Sequence, residues 1–192
     1  MNPKYAFKTA KEIEEHCKKF KLPISEVTKR YEAERSGKSL PAIRSKMKRT
    51  RDAMYEAVQR GVKSTKKSKM GMVGGDANKL YKSLNKMGSA MGNKVTVRAM
   101  AYAFAVGEQN ACMGRIVAFP TAGGAGVVPG TLFSCAEHFK AGKRRLLRGL
   151  FTASAVGLII AEGATLSAAK GGCQAEVGAG TAMAASGLTE MR

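Results

Sequence analysis

A chain of 192 residues with 7 Phe, 5 Tyr and no Trp, but 22 Gly and 11 Met, is long enough for one domain with a real core. Its small residues in place of aromatics point to closely packed helices and away from a β-sandwich. The net charge of +19 is unevenly placed: residues 1–100 hold 25 Lys and Arg against 9 Asp and Glu, a net +16, whereas residues 101–192 hold 8 against 5, a net +3. Four scattered cysteines (Cys17, Cys112, Cys135 and Cys173) and a start without an apolar signal core argue against a secreted disulfide scaffold and predict a cytoplasmic protein.

Residues 8–20 place Ile13, Cys17 and Phe20 at i, i+4 and i+7, which predicts an amphipathic helix that Pro23 interrupts. A second helix is expected over Ile24–Arg35, capped by Ser25 and ended by Gly37. A third is expected over Leu40–Arg60, with Ile43, Met47, Met54 and Val58 on one side and Gly61 as its stop. Each has an apolar stripe and no grouping of chemically active side chains, so the three read as a solvent-facing shell. Residues 61–75, GVKSTKKSKMGMVGG, form the first loop, and Lys63, Lys66, Lys67 and Lys69 are suited to neutralising phosphates. No aromatic is interleaved for base stacking and no nucleic-acid motif accompanies them, so nucleic acid is disfavoured as a partner. Asp76 is expected to cap a helix reaching about Lys86.

From Val95 the composition turns apolar. Val97, Met100, Ala101, Phe104 and Ala105 predict a wide buried face on a helix that runs toward Asn110. The proline-bounded glycine loop PTAGGAGVVPG (120–130) follows. It is not a P-loop, since no Gly-Lys-Ser/Thr follows, and not GxGxxG, since Pro129 stands where the third Gly would fall. Two readings stay open on composition: backbone N–H donors presented to a small anionic ligand, or a tight crossover where two helices touch. Helices are predicted over 129–141 and 144–162, the second almost wholly apolar and central. Its longest apolar run, Leu150 to Ala161, is too short to span a bilayer, so no membrane segment is expected. After a break at 163–172, a last helix starts near Cys173 and continues through Ala182, Met183, Ala185 and Leu188. The expected fold is all-α, with loops of functional character at 71–76, 120–130 and 163–173.

Cys173 stands behind Gly171 and Gly172 at that predicted helix start. The unpaired N–H groups of a first helical turn favour a thiolate, the form that binds metal or attacks a substrate, and the glycines leave room beside the sulfur. The residues alone favour a small buried hydrophobe, the usual role of an isolated Cys. A Cys–His nucleophile is a weaker reading, because His16 and His138 fall on predicted amphipathic helices with nothing to mark them as bases.

The stretches MGRIVAFPTAGGAGVVPGTLF (113–133) and LFTASAVGLIIAEGATLSAAKGGCQAEVG (150–178) closely resemble the α chain of the iron–sulfur-dependent L-serine dehydratases. GGDANKL (74–80) and the Asn110-Ala111 pair before Met113-Gly114 fit the same pattern. The resemblance is dense over residues 70–192 and looser over 1–60. Residues 1–62 are read from their pattern as basic amphipathic helices, and the resemblance implies the N-terminal part of an all-α catalytic domain over 63–192, the two forming one continuous domain. The implied chemistry is elimination of water from L-serine, giving pyruvate and ammonia in amino-acid catabolism, with a [4Fe–4S] cluster as Lewis acid. By the same resemblance Cys173 is a cluster ligand, and Pro120, Thr121, Ala122, Gly123, Gly124 and Asn110 contact substrate.

The sequence also departs from that family. The family's further cluster cysteines lie downstream of Arg192, Cys17, Cys112 and Cys135 do not fall at ligand positions, and Cys112 is read as packing. Ser89-Ala90-Met91-Gly92-Asn93 stands where relatives have a Ser-Gly-Pro turn. Two explanations follow, a chain incomplete at its C-terminus or a degenerate paralogue without a cluster. The first is favoured, and the chain is expected to be inactive alone, with a separate β chain or β domain and the remaining α segment as partners. A homo-oligomer is compatible with this. Two other functions are weighed against it: a related L-cysteine desulfidase-like lyase, and a basic helical module that meets RNA or an acidic protein through residues 1–70.

Overall fold

The computed structural model describes residues 4–85 and 93–192. They form α1 (Ala10–Phe20), α2 (Ile24–Ser36), α3 (Leu40–Gly61), α4 (Asp76–Ser83), α5 (Lys94–Ala111), α6 (Val127–His138), α7 (Lys143–Gly163) and α8 (Ala168–Met191). The fold is all-α, as expected, with no strand among the described residues. Local chemistry sets several helix ends. Thr9 and Glu12 form a reciprocal capping box at α1, Ser39 caps α3 with Pro41 in its first turn, and Asn93 caps α5. Gly37, at φ 64°, closes α2. The helix expected to reach about Lys86 ends at Ser83, with Leu84 as its C-cap, and the expected turn at residues 89–93 lies outside the described residues, Asn93 excepted.

The apolar α7 is the central helix. It lies along α8 and also touches α2, α3 and α6. Gly149 of α7 and Gly187 of α8 let the two backbones meet, since a Cβ on Gly149 would stand 2.7 Å from the Gly187 carbonyl oxygen. By length and composition α7 would be able to cross a membrane, which the run Leu150–Ala161 taken alone did not suggest. Here it is a core helix whose Leu150, Ala153 and Ala155 are buried.

Three expectations are corrected by the packing. The third helix is not a shell: Met54, Ala57 and Val58 of α3 join Tyr102, Leu132 and Leu150 in the main core. Helices α1 and α2 cover a second, smaller cluster, in which Phe7, Ile13 and Val27 meet Ala155 of α7. Ser25 does not cap α2, whose N-cap is Pro23; its buried hydroxyl donates instead to Glu190 Oε1 at 3.0 Å. On α5, Val97, Ala101 and Ala105 are buried, but Met100 and Phe104 are about half exposed, at 48% and 51%. Helix α6 closes on the Ala99–Ala103 ridge and α3 on Ala105, which leaves the 100–104 ridge uncovered by the described residues.

Candidate functional site

The last helix is broken at its own glycine pair. Gly172, at φ 77° and ψ 169°, interrupts α8 after a single turn, so the straight part begins at Cys173, where the sequence placed it. That backbone region is one glycine adopts without strain. Cys173 is exposed, and a Cβ at Gly172 would meet nothing within 4 Å, so the space beside the thiol is open.

One turn further on, on the same side of the helix, stands Glu176. Its Oε1 accepts a hydrogen bond from Thr121 Oγ1, which in turn accepts from the Gly124 N–H at 3.3 Å. The carboxylate rests on bare backbone: a Cβ at Gly123 would come within 2.6 Å of Oε2 and 2.9 Å of Oε1. From the other side, Asn110 in the last turn of α5 donates its Nδ2 to the Ala122 carbonyl at 3.3 Å. The Phe119–Pro120 peptide leading into the loop is cis. Three segments distant in sequence thus converge: the end of α5, the loop 120–126, and the start of the straight part of α8.

This arrangement joins Asn110, Pro120, Thr121, Ala122, Gly123 and Gly124 to the segment carrying Cys173. Of the two readings of the glycine loop, its first half is a presented loop and its second half is a crossover. The N–H groups of Thr121, Ala122 and Gly123 make no hydrogen bond among the described residues. Gly126, by contrast, is pressed on α5, where a Cβ would stand 2.4 Å from the Ala103 oxygen. The sequence reading missed Glu176. Its signal was available: it is the single acid between Glu162 and Glu190, three residues after Cys173.

The loop at 71–76 has a structural task instead. Glu108, buried in α5 at 4% exposure, accepts from the N–H groups of Gly75 (3.0 Å), Asp76 (2.7 Å) and Ala77 (3.0 Å). The N-terminus of α4 is therefore capped across helices, and Asp76, expected as the cap, is the first helical residue after Gly75. Asn78 completes the motif by donating to the Val62 carbonyl at 2.7 Å.

The remaining cysteines are engaged elsewhere. Burial pushes the thiol of Cys135 up, and burial followed by the Glu190 and Glu14 carboxylates does the same for Cys17. Cys112 points its Sγ at the Lys66 carbonyl, 3.6 Å away, in keeping with a packing role. His16 Nε2 is hydrogen-bonded to the Ala6 carbonyl at 2.7 Å. Among the described residues no three His, Cys, Asp or Glu side chains gather as a metal-binding group. An iron–sulfur cluster requires several thiolates. The exposed Cys173 fits one such position, and the described residues do not supply the rest.

Residues 19–192 match the family model for the serine dehydratase alpha chain. The chain is 40% identical over 185 residues to a protein of Bacillus subtilis (strain 168) named "Probable L-serine dehydratase, alpha chain", an alignment covering 96% of this chain and 61% of the relative. It is 34% identical over 183 residues to the "L-serine dehydratase, alpha chain" of Peptoniphilus asaccharolyticus, covering 95% of this chain and 62% of the relative. "L-serine dehydratase 2" of Escherichia coli (strain K12) is 29% identical over 197 residues, covering 97% of this chain and 42% of the relative. The chain thus spans somewhat under two thirds of the length of the α-chain relatives. It belongs to the serine dehydratase α-chain family.

Proposed function

We propose that this chain forms part of an L-serine ammonia-lyase that removes water from L-serine. The observation that carries the reading is the meeting of the two motifs: Glu176 of GGCQAEVG holds Thr121 and Gly123 of PTAGG beside the helix start at Cys173. Cys173 contributes one ligand to a [4Fe–4S] cluster, and the other thiolates come from outside the described residues. When bound, such a cluster supplies a Lewis-acidic iron for the serine hydroxyl.

The chain's own residues supply the cradle for the amino acid. The N–H groups of Thr121, Ala122 and Gly123 form a short run of backbone donors suited to the substrate carboxylate. Asn110 and Glu176 hold that run from its two sides, so the donors are fixed before substrate arrives. Loss of the α-proton and of the hydroxyl as water leaves the enamine, which tautomerises and hydrolyses to pyruvate and ammonia. A separate β chain or β domain completes the enzyme, which acts in the cytoplasm.

The test is anaerobic reconstitution with iron and sulfide. The chain combined with the rest of an α chain and a β partner is expected to gain cluster absorbance and to form pyruvate from serine, and Cys173→Ser to lose both. The chain alone is expected to give no turnover, and pyruvate from it alone would refute the division of ligands. Faster sulfide release from cysteine than pyruvate formation from serine would reassign the substrate.

A further inference from the structure

Away from the loop site, the densest unneutralised charge lies in a groove where α2, α3 and α7 meet. Two adjoining cavities of about 290 and 580 Å³ share Lys29, Arg44 and Arg144 in their walls. The larger adds Lys48, Arg51 and Lys143, and no acidic residue lines it. These volumes are those of small-molecule sites, not of an extended nucleic-acid track. Lys29 is paired with Glu26. Arg44, Lys48, Lys143 and Arg144 have no acidic partner within ion-pair distance among the described residues.

Arg51 supplies a second kind of observation. It is only 5% exposed, and its Nε and Nη2 are turned to Asp52 Oδ1. Its Nη1 has no hydrogen-bond partner among the described residues and is not a fully buried atom, so one arm of the guanidinium in the wall of the groove is left to solvent or to a bound group. Helix α7 sharpens the field. Its first three residues are Lys143, Arg144 and Arg145, its N-cap is Gly142 with no capping side chain, and its first turn carries no acid. The first turn of α3, just before Arg44, also lacks one. A helix N-terminus carries partial positive charge, so cations there add to the repulsion that acidic residues ordinarily relieve. An anion between the two ends relieves it instead.

We propose that this groove binds a phosphorylated small molecule through a diphosphate-type group, held between Arg44 and Lys48 of α3 and Lys143 and Arg144 of α7, with the free arm of Arg51 beneath it. The site is separate from the loop at 120–126 and does not depend on the serine reading.

Calorimetric titration of the full chain with inorganic pyrophosphate at low salt tests it. Saturable one-to-one binding is expected. The exposed pair Arg44→Gln/Arg144→Gln weakens it roughly tenfold or more by removing two charge-assisted donors. The pair Lys66→Gln/Lys67→Gln, beyond the far end of α3 and screened, changes it less than about twofold. Unchanged far-ultraviolet dichroism verifies that each variant folds. Non-saturating heats, equal losses in the two variants, or sulfate binding as tightly as pyrophosphate would overturn the proposal. So would binding of an RNA oligonucleotide that excess pyrophosphate fails to displace.

Discussion

The two halves of this chain use their carboxylates in opposite ways. In α1 to α3 three of the acids pair locally with cations one helical turn away, Glu14–Lys18, Glu26–Lys29 and Glu32–Arg35. In residues 101–192 only five acids occur, and four of them tie together elements distant in sequence. Glu108 caps α4, Glu137 accepts from Tyr102, Glu176 grips Thr121, and Glu190 gathers Ser25, Arg148 and Thr152. Local pairs on a wet helix face contribute little, whereas a shielded carboxylate that satisfies backbone donors or bridges helices fixes their relative placement. The near-neutral half is thus organised by a few acids, whereas several charges of the basic half make only local pairs.

The sharpest way to break this contrast is at Glu108. Glu108→Ala strips three N–H groups at the start of α4 of their acceptor and is expected to cost about 3–5 kcal/mol. For a domain of this size that lowers Tm by on the order of 10 °C, read by thermal circular dichroism. Glu108→Gln, which keeps one acceptor oxygen, should lose clearly less. Lys63→Ala in the basic loop should stay within about 0.5 kcal/mol, and equal losses at Glu108 and Lys63 would erase the distinction.

Glu190 comes next. Its side chain is 8% exposed and accepts from Ser25 (3.0 Å), Thr152 (3.0 Å) and two nitrogens of Arg148 (2.9 and 2.7 Å), joining α2, α7 and α8. Arg148 is itself partly in water and rehydrates when released, so Glu190→Ala is expected to cost about 2–3 kcal/mol in urea unfolding. Breaking the local Glu32–Arg35 pair should cost no more than about 0.5 kcal/mol. A reversal of that order would show that the α2–α8 link is incidental.

At the candidate site the contrast becomes a double-mutant cycle. Gly123→Ala sets a methyl against the Glu176 carboxylate and should cost about 1–2 kcal/mol, along with serine affinity in the assembled enzyme. In a Glu176→Ala background the same change should be nearly free, so the coupling energy reports the contact directly. Additive losses would mean that the carboxylate does not rest on the loop.

What the sequence disclosed follows from range. The apolar periods of α3 and α7, the stop at Gly37 and the helix start at Cys173 are all set by neighbours within a turn or two. The partner of a carboxylate is not set that way. Glu108 lay unremarked in an apolar helix because its donors, the N–H groups at 75–77, sit about thirty residues earlier in the chain and meet it only after α4 docks on α5. Ser25 carried a cap's side chain in a cap's neighbourhood, yet Glu190 outbid the local N–H groups for it. Met100 and Phe104 looked buried by type, and which side of α5 is covered depends on where α6 closes, which no local pattern encodes. At the site, PTAGG and Cys173 were legible as motifs, while Glu176, the side chain that joins them, was hidden inside one of them.

The mildest test joins the two halves through two thiols, Cys17 of the first and Cys135 of the second. Burial raises the pKa of both Cys135 and Cys17, and for Cys17 the Glu190 carboxylate adds to it. Unfolded thiols ionise near pH 8.5. Below that pH both states hold their protons and the stabilisation is complete. As pH rises through it, the unfolded chain releases protons that the fold retains, so stability falls, and the fall ends once the folded thiols also ionise. The slope is bounded at about 1.4 kcal/mol per pH unit for each thiol. Urea unfolding in reductant between pH 8 and 10 should show it, and Cys135→Ala or Cys17→Ala should each flatten it. Glu190→Gln separates the two, because removing the charge lowers the raised thiol of Cys17 and leaves the burial of Cys135 untouched. It should therefore flatten the slope in the parent chain and in Cys135→Ala, but have no effect in Cys17→Ala. An effect of Glu190→Gln that survives in Cys17→Ala would show that the carboxylate acts through overall packing, and not as a charge reaching across from the near-neutral half.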